Sequence, residues 1–224
     1  CLAASIGSDA GVLGGRSLLS AEPVKKPAKK SPRSPLEPVP ALGEFELHPG
    51  FRIELAAAEP EVIDPVALRF DENGRMWVVE MGDYPNGPAR GGRPLSRVRC
   101  LEDKDGDGRY ETSCVFADGL LFATGIQPWD RGVLVTAAGE LLYLVDSDGD
   151  GVADSRETWY SGFEQQNPQL RANHPTFAMD NRIYVANGLR GGVVATRRAV
   201  WAGRSQAVSI SGRDFRFDPR SGVC

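Results

Sequence analysis

The sequence has no long apolar run. Its longest stretches are of the order of Leu141–Val145, whereas a membrane-spanning helix needs roughly 20 apolar residues in succession, so a transmembrane helix is excluded. An excess of positive charge is lacking too: 26 Lys plus Arg stand against 30 Asp plus Glu in 224 residues, a mildly acidic net charge of −4 that leaves no basic footprint for nucleic acid. Histidine occurs twice, at His48 and His174, too few for a His-built transition-metal site. The G-x-S-x-G, P-loop, G-x-G-x-x-G and C-x-x-C-H patterns are also missing, so these conventional catalytic and haem-attachment signatures do not point to a function.

The scarcities are uneven. Residues 1–40 hold no aromatic, 6 of the 16 Pro and four of the five Lys (Lys25, Lys26, Lys29 and Lys30). That tail carries +3 of the whole-chain −4, leaving the remainder at −7. Such a segment cannot bury enough apolar surface to offset its ordering entropy. Residues 1–43 are therefore expected to be a disordered export or tether segment, with Pro23–Pro40 as an extended linker, and residues 44–224 to be the folded part. Two readings of the start stay open, and both place the protein outside the cytoplasm, in the periplasm or on the cell envelope. Cys1 is either the lipid-anchored first residue of a mature lipoprotein, or Val12–Ala21 is the remnant of a signal peptide, interrupted by Arg16. Opening on Cys1 and stopping at Cys224, just after a strand-and-turn signal, the chain reads as a piece of a longer protein.

From residue 41 onward the pattern is strand and turn. Phe51–Leu55, Arg75–Glu80 and Arg182–Ala186 alternate with period two between Gly, Pro, Asn or Asp, and only stretches such as Leu55–Glu59 suit a helix. A unit of strand, Asp-anchored turn and second strand recurs. Val66–Asp71 leads into Met76–Val79, Ile126–Asp130 into Val133–Val135, and Thr176–Asp180 into Ile183–Val185, with Asp218 after Phe215–Phe217 starting a fourth unit. The anchoring Asp residues lie 59, 50 and 38 residues apart. A loosely kept period of about 40–50 residues is what radial repetition produces, so the expected fold is an all-β propeller, of which this chain holds about three blades.

Asp103, Asp105, Asp107, Gly108 and Glu111, and then Asp146, Asp148, Asp150, Gly151, Asp154 and Glu157, form two Asp-Gly runs with carboxylates at positions 1, 3 and 5 and Gly at 6. Alternating carboxylates converge on one hard cation while Gly permits the sharp reversal, the logic of a Ca²⁺ loop. The second run even places Glu157 at position 12, where the first has Cys114. The flanks, Arg97–Leu101 and Leu141–Val145, are strand-like, so these are expected to be calcium loops closing β-hairpins rather than EF-hands. An Asp/Gly turn that binds nothing is the plain alternative. Cys100 and Cys114 flank the first run symmetrically; a cross-strand disulfide and two small strand residues both fit that spacing. His48 precedes Pro49-Gly50 in an entry turn, while His174 immediately precedes a repeat strand.

Glu46–Phe51, Val66–Glu80, Leu101–Gly108, Val115–Leu120 and Asn173–Asn181 resemble the N-terminal propeller of the "membrane-bound dehydrogenase" proteins of planctomycete and verrucomicrobial bacteria. That group is similar to the glucose/sorbosone dehydrogenases, and the resemblance spans about residues 44–224. It implies a propeller of about six blades that oxidises a sugar or other alcohol with pyrroloquinoline quinone. His174 would be the general base, and a Ca²⁺ apart from the hairpin loops would polarise the quinone. Arg171 and Arg190 flank the same blade and would either meet cofactor carboxylates or form surface salt bridges, and a cytochrome c-like domain further along the chain would accept electrons. A non-catalytic, calcium-stabilised propeller binding a glycan or a protein partner stands as the alternative.

Overall fold

The structure is a computed structural model that describes residues 34–188 and 191–224. The readings of the first 33 residues, including Cys1, and of Arg190 lie outside the described residues. One compact unit covers Glu37–Cys224. It opens with a short helix, α1 (Pro38–Leu42), which takes over the end of the segment expected to be extended linker; its prolines sit in the first turn, where no backbone N–H is needed. No helix of the described residues is long and apolar enough to cross a membrane.

The rest is mostly β, in three antiparallel sheets. The first sheet is the meander β1 (Pro65–Phe70), β2 (Met76–Glu80), β3 (Ser96–Glu102) and β4 (Thr112–Leu120). The second holds β5 (Gly125–Trp129), β6 (Gly132–Ala137), β7 (Glu140–Val145) and β8 (Ser155–Phe163), extended beyond β8 by β11 (Gly192–Thr196) and β12 (Val208–Ser209). The third runs β9 (Asn173–Phe177), β10 (Ile183–Ala186) and β13 (Phe215–Phe217). Each of the three recurrent units supplies the first two strands of one sheet. The fourth does not exist as expected. Phe215–Phe217 pairs antiparallel with β10 and completes the third sheet, because Phe215 and Phe217 pack edge-on and tilted against Tyr160. Phe51–Leu55 alternates in sequence but joins no ladder, and Leu55–Glu59 forms no helix.

Sheet on sheet is what the hydrophobic pattern dictates. Trp77, Val98, Cys100 and Phe116 of the first sheet pack on Val133, Val135, Leu142 and Leu144 of the second. Leu134 and Leu141, which point the other way along the same two strands, pack with Tyr160 and Phe163 on Ile183, Val185, Phe215 and Phe217. The second sheet is thus covered on both faces, and its β6 and β7 read as nearly continuous apolar runs for that reason. The first sheet's far face is covered only in part, by Val62 and Ala57 over Met76, Val78 and Leu101. Val66, Leu68 and Phe70 of β1 stay 49%, 46% and 54% exposed.

The first strands of the three sheets come side by side, β5 touching both β1 and β9. Gly125 permits the closest approach: a Cβ there would fall 2.5 Å from the His174 nitrogen. Two carboxylates tie the turns around this line of strands. Asp71 accepts from the Asn73 and Arg75 nitrogens, the Arg75 side chain at 2.7 Å and the Trp77 indole at 2.9 Å. Burial works to raise its pKa, but these donors outweigh it and hold the carboxyl below its usual range. Asp83 is buried and accepts from the Leu95, Ser96 and Phe122 nitrogens and the Ser96 hydroxyl, joining the long β2–β3 connection to the crossing into the second sheet.

Candidate functional site

Both Asp-Gly runs form hairpin loops, joining β3 to β4 and β7 to β8, and they are wired alike. In the first, Asp103 accepts from the Gly106 nitrogen at 2.7 Å and the Gly108 nitrogen at 2.9 Å; Asp105 accepts from the Asp107 nitrogen and Asp107 from the Arg109 nitrogen. In the second, Asp146 accepts from Gly149 at 2.6 Å and Gly151 at 2.9 Å, Asp148 from Asp150, and Asp150 from Val152. The residue at position 9 closes each loop back on position 2: Glu111 accepts from the Lys104 nitrogen, and Asp154 from the Ser147 nitrogen and hydroxyl. Gly106, Gly108, Gly149 and Gly151 all take positive φ, which is why the pattern needs glycine there.

This wiring leaves carboxylate oxygens of Asp103, Asp105, Asp107 and Glu111 within 4.8 Å of one another, and does the same for Asp146, Asp148 and Asp154. These exposed clusters have the hard oxygen donors that suit a metal such as Ca²⁺. Backbone N–H donors from Gly151 and Gly149 hold the Asp146 carboxyl below its usual range, and the Ser147 donors do so for Asp154, so both stay ionised well into acid. Asp150 is not gathered into the second cluster. Glu157, expected at position 12, is not gathered into it either. It lies on β8 opposite Tyr143, where it accepts from the Arg198 guanidinium and the Trp159 indole, each at 3.0 Å. In an EF-hand a helix would return position 12 to the cation; here a strand carries it off at about 3.3 Å per residue.

His174 lies at the start of β9, exposed and with φ of 56°, among the adjoining first strands. Partial desolvation by its neighbours and, after it, the nearby Arg69 lower its pKa below 6.5, so its imidazole is mainly neutral at pH 7. His48 forms the expected entry turn, its Nδ1 lying 2.9 Å from the Pro49 carbonyl oxygen.

The domain-of-unknown-function model DUF7133 matches residues 37–224. The chain belongs to the DUF7133 family. A comparison with curated proteins gives no match.

The DUF7133 structure also shows surroundings of Arg171 that the sequence does not reveal. Arg171 stacks 3.6 Å above the Phe122 ring, and its Nε and Nη1 are buried with no hydrogen-bond partner. Nothing in the local sequence signals this, because Phe122 and Asp83, the neighbouring charge, come from other sheet connections. A cleft of about 380 Å³ between the first two sheets of the DUF7133 domain is lined by Asp71, Arg75, Cys100, Cys114, Asp130 and Asp146. The register places Cys100 directly opposite Cys114, and both are free thiols.

Proposed function

We propose that this chain is a calcium-binding portion of a β-propeller, each acidic hairpin loop holding one Ca²⁺. The convergence of four carboxylates at Asp103, Asp105, Asp107 and Glu111 carries the reading, and the similar wiring of the second loop, which gathers three, supports it. Carboxylates so close repel one another unless a cation sits among them. The propeller itself is supported by first strands that lie side by side and by sheets that pack on their neighbours. The half-exposed Val66, Leu68 and Phe70 are the face that a further blade would cover. A ligand held only by the folded state adds about 2.7 kcal/mol at 100 times its Kd, which for a domain of this size is a rise of roughly 5–10 °C in melting temperature. Melting in EDTA and in millimolar Ca²⁺ tests it: a higher midpoint with calcium is expected, and an unchanged one overturns the reading.

A second reading is favoured by the neutral imidazole of His174 among those first strands. In it the full-length protein is an exported, periplasmic or envelope-bound dehydrogenase that oxidises a sugar or other alcohol and passes electrons to a cytochrome c-like acceptor. His174 accepts the hydroxyl proton. The unpartnered guanidinium edge of Arg171, three residues earlier, suits the carboxylates of pyrroloquinoline quinone and would hold them. When bound, the quinone supplies the hydride acceptor. The competing reading, a calcium-stabilised propeller that binds a glycan or a protein, shares the loops and lacks the quinone. Quinone binding by the full-length protein separates the two.

A further inference from the structure

Residues directly opposite on an antiparallel pair point to the same face with Cα atoms about 4.5–5.5 Å apart, inside the span that a disulfide bridges. Cys100 of β3 and Cys114 of β4 are such a pair. They line the cleft between the first two sheets and belong to neither acidic cluster. Cys100 is buried against Trp77 and Phe116, which accounts for it as core. Cys114 is exposed, so packing does not explain a thiol there. Its Sγ lies 3.6 Å from the carbonyl oxygen of Cys100 and 3.6 Å from that of Gly151 in the second acidic loop.

We propose that Cys100 and Cys114 form a redox-sensitive pair, a dithiol that an oxidised thiol compound converts into a cross-strand disulfide stapling the β3–β4 hairpin. Cys114, the accessible sulfur, reacts first. Its thiolate attacks the incoming disulfide, forms a mixed disulfide and releases one thiol. Cys100 then loses its proton to solvent and attacks the Cys114 sulfur, expelling the second thiol. Two protein thiols are thereby oxidised to one disulfide, and the oxidant is reduced to two thiols. Burial pushes the Cys100 thiol up to about 12, which makes the second step the slower one. Closure draws the Cys114 sulfur away from Gly151 toward the Cys100 side chain.

The test is to treat the folded chain with oxidised glutathione, alkylate what remains free, and map the tryptic peptides. Cleavage after Arg99, Lys104, Arg109 and Arg131 puts Cys100 and Cys114 on separate peptides, residues 100–104 and 110–131. The expected result is loss of both free thiols and a cross-linked pair of those two peptides. The link should re-open with a reducing dithiol, disappear in Cys114→Ser, and form more slowly in the urea-unfolded chain. A Cys114–glutathione adduct with Cys100 still alkylatable overturns the proposal, as does a link from Cys114 to any other cysteine.

Discussion

Replacing Asp83 with alanine should lower the melting temperature by roughly 6–20 °C, the equivalent of about 3–5 kcal/mol. The carboxylate is 2% exposed and accepts from three backbone N–H groups and one hydroxyl, drawn from residues 12, 13 and 39 positions away. Alanine would leave all of those donors facing a hole. Asp83→Asn keeps the shape and one acceptor oxygen, so its loss should be smaller. Burial raises this carboxyl's pKa, yet the Ser96 hydroxyl and the three N–H donors outweigh it and the net shift is downward from 3.8. A depressed folded-state value means that the stabilisation is present in full above the unfolded pKa and disappears as pH falls through the folded one. The wild type should therefore lose stability below pH 3.8 by a route that Asp83→Ala no longer has. Urea melts of the parent and both variants, at pH 7 and in acid, measure this; equal midpoints for parent and Asp83→Ala at pH 7 would contradict it.

In the full-length protein loaded with quinone and Ca²⁺, His174→Ala should cut turnover of an aldose or polyol by about 10²–10⁴-fold, the usual contribution of a positioned base. Because His174 is exposed, the fold should survive the substitution. Its pKa is lowered, so the rate should climb with pH through a midpoint below 6.5, and the alanine variant should lack that limb. Turnover equal to the parent's would move the base to another residue. Absence of quinone binding would remove the dehydrogenase reading and leave the calcium-stabilised binding propeller.

The parts legible in the sequence are those whose chemistry is local. Asp103 and Asp146 each accept from N–H groups three and five residues on, so the loops are written within six residues and could be read there. Val133–Val135 and Leu141–Leu144 announce strands because both faces of their sheet are covered. What failed depends on distant partners. Nothing near Phe215 says that its ladder partner is Val185, and an Asp turn after it imitates the start of a new unit. Glu157 has the right spacing for a cation but sits on a strand, where Arg198, 41 residues away, takes its carboxylate. Phe51–Leu55 alternates as well, yet forms no strand, because alternation alone does not supply a pairing partner.

Calcium binding by the two loops is tested most directly by titrating the metal-free chain with Ca²⁺ in a calorimeter, alongside Asp103→Asn and Asp146→Asn. Each substitution removes the carboxylate at position 1, whose two oxygens also organise the loop through a pair of N–H groups. The parent should bind two Ca²⁺, one per acidic cluster, and each variant should retain one. No binding up to millimolar Ca²⁺, or a stoichiometry that neither substitution changes, would contradict the assignment.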